Sequence, residues 1–388
     1  MTQTARLSLA GFLATAVAFG PARMGFGLFL PTFRDTFAIG TAEAGLIASG
    51  GFASFLAALP LAAFLSTRMG QRVPVVAGAS LAVAGFVAIA LTAHPAVLAL
   101  GVALAGTSAG LCWAPFNDAT ERVVMPADRD GVLSCIAAGT SLGVALAGAL
   151  ALMVTAGLTG WRLSWGAFAA LATAAAGAAL AGCPGAPPER RGEPAPLTGL
   201  IAYRRAAWPL YAAALTFGAT NAVYLSFAGD RVVQAGGMAG VPERAASAAI
   251  FVAYGLCGLA GLATGRFERW LGLRWLLRVI FATGAVSLVA VALAPRSAVA
   301  VLASAGAHGA ALMVISAVFS FWSLRLFPGR GTAGFIGALT CVAGGSVLGP
   351  TAAGTIAAHH GATAMFLACA LPAACLAAVP LAPRRSGQ

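Results

Sequence analysis

The sequence predicts an all-α integral membrane protein with twelve transmembrane helices in two six-helix, pseudo-symmetric halves. Three observations lead there. The first is composition: of 388 residues, 60% are hydrophobic and 9% charged, with a mean hydropathy of +0.90, whereas a soluble domain carries roughly 25% charged residues to keep its surface hydrated. The second is spacing. Apolar stretches run at 8–31, 42–65, 73–93, 96–118, 131–156, 161–182, 207–229, 245–264, 273–294, 297–323, 332–357 and 361–382. A hydrocarbon core about 30 Å thick takes about 20 apolar residues per helical crossing, so these twelve spans use nearly the whole chain. The third is internal repetition. At an offset of 206, Gly131, Gly139, Gly143 and Gly148 of span 5 fall on Gly337, Gly345, Gly349 and Gly354 of span 11. At an offset of 202, residues 63–72 (AFLSTRMGQR) fall on 265–274 (GRFERWLGLR).

The arginines set the topology. All 23 Lys+Arg residues are Arg. With both termini in the cytoplasm, 17 of them fall in inside loops and 5 outside (Arg34, Arg162, Arg231, Arg244 and Arg296), while Arg23 lies within span 1. Such an excess over short loops marks the cytoplasmic side. It also explains the net charge of +12 without nucleic acid, since the arginines are scattered rather than clustered. Reading span 1 as a cleaved signal peptide, on Arg6 and the small-x-small run Ala16-Val17-Ala18, would leave eleven spans, reverse the charge bias and break the repeat. The polar stretch from Cys183 to Ala206 divides the chain into an N-terminal bundle (1–182), a cytoplasmic central loop (183–206) and a C-terminal bundle (207–388).

Several chemistries are excluded. Without Lys there is no Schiff base, pyridoxal site or G-K-[ST] phosphate loop, and so no ATP-driven pump. The seven Cys occur singly, without C-x-x-C or a His at ligand spacing, and read as packing residues. The pair His359-His360 lies in a short outside loop without nearby acids. No convergent nucleophile, metal or acid/base cluster is visible, so neither an enzyme nor a cofactor or metal is expected.

Two loops carry the family resemblance. In 63–72 and 265–274, Gly70 and Gly272 permit tight turns, while Arg68, Arg72 and Arg274 can anchor to anionic headgroups and to neighbouring helix ends. This pattern resembles the cytoplasmic loop G-x-L-x-D-R-x-G-R-R of the major facilitator superfamily. Ala63, Thr67 and Gln71 depart from it, and Thr67 stands where the family has the Asp of its usual gating ion pair. Drug–proton antiporters of that superfamily carry G-P in span 5; here span 5 has Gly143-Val144, and Gly349-Pro350 lies in span 11. The opening run 22–31 (ARMGFGLFLP) is similar to that of the YbfB/YjiJ-like branch, which implies no particular substrate. The resemblance implies the major facilitator fold, a small-molecule substrate, and a central cavity lined by spans 1, 4, 7 and 10.

One polar layer stands out at that depth. Arg23 of span 1, Thr107 and Ser108 of span 4, Asn221 of span 7 and His308 of span 10 fall at similar distances into the membrane, where charged residues are costly and line pathways. For Arg23 the alternatives are substrate or coupling work and bonding to backbone carbonyls. For His308 they are proton coupling and packing. Asn221 reads as an interhelical hydrogen bond that a substrate can share. Trp113, Phe116, Tyr224 and Trp322 offer aromatic lining. Asp118 and Arg122 stand four residues apart at the cytoplasmic mouth and can pair there, as part of a gate or as a solvated pair. No acid falls at mid-membrane depth, which disfavours cation–proton antiport.

The expectation is therefore a monomeric secondary transporter of the bacterial inner membrane. It would move a small organic anion by alternating access, with or by exchange against a proton. The alternatives are efflux of amphiphilic drugs and, from a different class, a polytopic membrane protein that transports nothing.

Overall fold

The structure is a computed structural model that describes residues 2–185, 204–327 and 331–379. Most of the predicted central loop, 186–203, and the C-terminal tail from 380 lie outside the described residues.

Nine helical runs among the described residues are long and apolar enough to cross a membrane. Two of them, Glu243–Leu293 and Gly337–Ala378, contain 51 and 42 residues. At about 1.5 Å per residue, a straight helix of either length would exceed 60 Å, about twice the thickness of the hydrocarbon core. Each instead turns at a glycine in the left-handed region, Gly272 (φ 72°, ψ 158°) and Gly361 (φ 81°, ψ 163°). Arg204–Gln234, whose polar and charged residues lower its hydropathy, completes twelve crossings. Span 1 consists of Gln3–Phe19 and Pro21–Phe37. Spans 2 to 7 are Thr41–Met69, Arg72–Leu91, Pro95–Val123, Arg129–Thr155, Trp161–Gly182 and Arg204–Gln234. Span 8 begins at Ala246–Gly258 and runs through a 3-10 turn to Gly272, and span 9 is 273–293. Span 10 is Ala298–Leu326, and Gly361 divides Gly331–Ala378 into spans 11 and 12. His359 and His360 therefore close the span 11 helix rather than occupying a loop, and both are exposed.

Span 1 breaks where the sequence has Pro21, which brings no N–H to a continuing helix. Gly20 takes a non-helical conformation there (φ −80°, ψ −105°). It must remain glycine, since a Cβ would lie 2.6 Å from the Gly143 carbonyl of span 5. The break divides the work of the span. The first helix packs on spans 5 and 6, and the second crosses to span 7.

The repeat read from the glycines is present in the contacts they make. Gly139 abuts the Phe12 carbonyl and Gly143 abuts Ala16, both in span 1. Gly345 and Gly349 meet Leu215 and Ala219 of span 7 in the same way. The partners carry nearly the same offset as the glycines, so span 5 sits on span 1 as span 11 sits on span 7. Close backbone approach of this kind replaces the hydrophobic effect as the source of helix packing in lipid. The turns repeat too: Gly70 (φ 83°) matches Gly272, and Gly157 (φ 73°) matches Gly361.

The side on which the described chain begins is here the terminus side, and its opposite the distal side. Side-chain bonds between spans 1–6 and spans 7–12 gather toward the distal side. Arg34 Nε pairs with Asp230 Oδ1 at 3.0 Å, and Ser247 Oγ donates to the Leu28 carbonyl at 2.9 Å. Nearer the middle, Ser49 Oγ donates to the Val347 carbonyl at 2.6 Å and lies 2.8 Å from Thr351 Oγ1.

Candidate functional site

Arg23 stands two residues beyond the break, at the start of the second helix of span 1. Its guanidinium carbon lies 4.9 Å, 5.5 Å and 5.7 Å from the ring centroids of Phe55, Phe52 and Phe19. Such contacts contribute roughly 0.5–2 kcal/mol each. They engage ring faces and leave the N–H donors unsatisfied. Nε is buried without an acceptor, and among the described residues Arg23 forms neither a hydrogen bond nor an ion pair. The alternative in which backbone carbonyls hold Arg23 is thus not what the geometry gives. A cavity of ≈ 20 Å³ adjoins the side chain, with Ala22 and Phe26 of span 1, Gly51 of span 2 and Gly106 of span 4 on one side and Leu225 and Ser226 of span 7 on the other. That is room for a single water. The site straddles the boundary between the halves.

A second cluster lies across that boundary. The His308 ring stacks on Tyr224 with centroids 4.2 Å apart and an interplanar angle of 13°. His308 is 1% exposed and neither ring nitrogen has a partner among the described residues. Asn221 accepts a hydrogen bond from Tyr254 Oη at 2.9 Å, and Tyr224 Oη lies 2.9 Å from Ser304 Oγ. Ser304 Oγ in turn donates to the Ser287 carbonyl at 2.9 Å. Asn221, Tyr224 and His308 lie in one cluster, but the tyrosine that bonds Asn221 and packs beside the other two rings comes from span 8, outside the four spans that the family resemblance puts around the cavity.

The other expected residues are placed differently. Thr107 Oγ1 donates to the Ala103 carbonyl at 3.0 Å within its own helix. Ser108 is fully buried and its hydroxyl has no partner. Trp113 packs edge-on against Phe19 at 5.0 Å, the same ring that flanks Arg23. Phe116 and Trp322 are buried in separate apolar clusters, and none of Trp113, Phe116, Tyr224 and Trp322 lines the cavity beside Arg23.

On the terminus side, the side-chain bonds between described residues lie within one half. Arg122 donates to Gln71 Oε1, and the two ion pairs among the described residues are Arg34–Asp230 and Arg325–Glu268. Asp118 and Arg122 form no contact ion pair among the described residues: both side chains are exposed, as in the solvated alternative, and Arg122 reaches across to the residue after Gly70. Arg72 Nε donates to the Cys183 carbonyl at 2.9 Å, tying span 3 to the end of span 6. Its repeat partner Arg274 does not do this; Nε of Arg274 is buried without an acceptor, and Arg278 instead reaches the Ala377 carbonyl at 3.0 Å. Arg68 stacks over Phe64 at 5.1 Å. No group of three His, Cys, Asp or Glu able to hold a metal is found among the described residues.

The profile of the Major Facilitator Superfamily matches residues 7–338. No curated protein matches the chain. Among solved structures, a single-substitution variant of the nucleoside transporter NupG superposes with a TM-score of 0.81 at 13% identity, covering 97% of this chain and 98% of the other. NupG without that substitution gives 0.77 at 14%, with the same coverage. A bacterial homologue of the human lysosomal transporter Spinster, captured inward-facing and unoccupied, gives 0.71 at 17% identity and covers 97% of this chain and 96% of its own. At these identities the likeness is one of fold.

Proposed function

The chain belongs to the Major Facilitator Superfamily, and on that premise we propose that it is a secondary transporter of a small organic anion, working as a monomer by alternating access in the bacterial inner membrane, with both termini cytoplasmic. The observation that carries the substrate class is Arg23. A guanidinium stays protonated in proteins and presents a planar fork suited to carboxylate or phosphate oxygens. Its Nε is buried without an acceptor among the described residues, on the boundary between the halves, and an anionic group is the partner that its charge favours. A substrate bound there would contact both halves, as alternating access requires. In this reading the bundles 1–182 and 207–388 rock about the site, and Asn221 and Tyr224 complete it.

His308 is the proposed proton carrier. It is the one imidazole of the second cluster, a group able to take up and release a proton, and its two ring nitrogens have no partner among the described residues, which leaves them free to exchange a proton when the halves part.

The test is ligand binding by the purified protein. Losing one charge-assisted contact, about 1.5–3 kcal/mol, weakens affinity about 10- to 150-fold. Arg23→Ala should therefore fold and lose that much affinity for the anion, and Arg23→Lys should be impaired because a point charge lacks the fork. If Arg23→Ala binds as the wild type does, or the ligand is a cation, the organic-anion reading fails and amphiphile efflux replaces it.

A further inference from the structure

The walls around Arg23 are more selective than the charge they enclose. Beside the guanidinium stand Phe19, Phe52 and Phe55; the last two line the cavity, whose other residues are Ala, Gly, Val, Leu and Phe, with the hydroxyl of Ser226 the one neutral polar side chain. One cationic fork can satisfy one carboxylate. A second carboxylate, a phosphate or a row of sugar hydroxyls would be desolvated against Phe and Val without partners, and each unsatisfied group weakens binding. An apolar body has the opposite preference, since the phenyl rings gain contact as water leaves.

Building on the organic-anion reading, we propose that the ligand is an amphiphilic monoanion: one carboxylate on Arg23, with a flat apolar body against Phe52 and Phe55, an aromatic monocarboxylate of about benzoate's size. The present cavity of ≈ 20 Å³ is too small for it. Its walls, however, come from both halves: Leu225 and Ser226 of span 7 close it against spans 1, 2 and 4. Separation of the halves enlarges it without moving the phenylalanine rings away from Arg23, because all three belong to spans 1 and 2. The pocket therefore keeps its chemistry while it changes volume. It also closes around a small flat ligand more readily than around a hydrated, multiply charged one.

The experiment is a thermal-shift and calorimetric comparison of benzoate, acetate, succinate, benzamide and benzylamine on the purified full chain. Benzoate should bind at least about tenfold more tightly than acetate, the difference being ring burial, and more tightly than succinate; benzamide and benzylamine should bind far more weakly. Phe52→Ala should erase most of the preference for benzoate over acetate, with melting temperature as the check on folding; an unchanged preference would overturn the assignment of the ring to this wall. If acetate or succinate equals benzoate, the amphiphilic inference is overturned while the organic-anion reading stands. If benzamide or benzylamine equals benzoate, or Arg23→Ala leaves benzoate affinity unchanged, both fall. No binding by any of the five overturns the benzoate-sized assignment.

Discussion

The distal and terminus sides of the molecule are built from the same repeat, yet they spend their polar groups differently. On the distal side, side chains reach across between the halves: Arg34 to Asp230, Ser247 to the Leu28 carbonyl, and Ser49 to Val347 and Thr351. Glycines let the backbones follow, as Gly27 does against the Leu225 carbonyl and Gly45 against the Pro350 carbonyl. On the terminus side the side-chain bonds between described residues lie within a half, as in Arg122 to Gln71, Arg72 to Cys183, Arg278 to Ala377 and Arg325 to Glu268. The contrast assigns different jobs to polar groups of equal chemistry. Distal contacts form and break if the halves rock, and so they set the balance between two states. Terminus-side contacts move with their half and stabilise it in either state.

The largest effect should come from Gly27→Leu. A side chain there would collide with the Leu225 backbone across the halves, and in close-packed helices such overlap cannot relax cheaply. Transport should fall by at least about 100-fold, with spin labels at Thr36 and Arg244 reporting a longer distal separation and the variant remaining monodisperse. If the distance is unchanged, distal closure does not depend on this contact. Next comes the Arg34–Asp230 pair, whose side chains are 20% and 5% exposed. Asp230→Asn should destabilise the distally closed state by about 1–3 kcal/mol, shifting the spin-label distribution in the same direction by about tenfold in population. A double-mutant cycle with Arg34→Ala should show strong coupling. Additive effects would mean that the two side chains act independently.

Ser49→Ala removes a donor to the Val347 carbonyl and a partner for Thr351. Its cost should be about 1 kcal/mol, again read as a shift toward distal opening. A drop in melting temperature with no change in distance would move Ser49 from the state balance to general packing.

The contrast also marks what could be read from the sequence. Hydropathy located the spans to within a few residues because membrane helices leave little choice of length. The exceptions are kinks and overruns such as span 8, which continues through Leu259–Ala263 toward Gly272. The repeat was legible because Gly139 and Gly143 each meet a backbone, and a position with no room for Cβ admits one residue type. The break at Gly20 was announced by Pro21. Arg23 stood out as a charge in an apolar run, whereas its phenylalanine cage did not: Phe52 and Phe55 belong to a chain with 22 Phe, and only the packing of span 2 on span 1 singles them out. Tyr254 was missed for a related reason. It comes from span 8, and a layer argument confined to spans 1, 4, 7 and 10 does not reach it. Arg34 and Asp230 were both visible as charges at span ends, but no local pattern pairs residues 196 apart in sequence. Side-chain partners across the boundary depend on the docking of the halves, and periodicity carries no record of that.

The smallest effect tests the other side of the contrast. Arg325 and Glu268 form an ion pair at 2.6 Å, as short as any polar contact on the distal side, but the Arg325 side chain is 46% exposed and both residues belong to spans 7–12. Exposure lets water and salt screen the pair and leaves entropy to be lost in holding the long side chain, so such pairs are worth about 0–1 kcal/mol. The geometry adds a second reason for a small effect on function: Arg325 and Glu268 travel together when the halves move, so the pair's strength is the same in both states and cancels from their difference. Arg325→Ala should therefore lower the melting temperature slightly, with a smaller loss at high salt, and leave the spin-label distance between Thr36 and Arg244 unchanged. A shift of that distance comparable to the one caused by Asp230→Asn would show that the terminus-side pair takes part in the state balance, and the division of labour between the two sides would have to be given up.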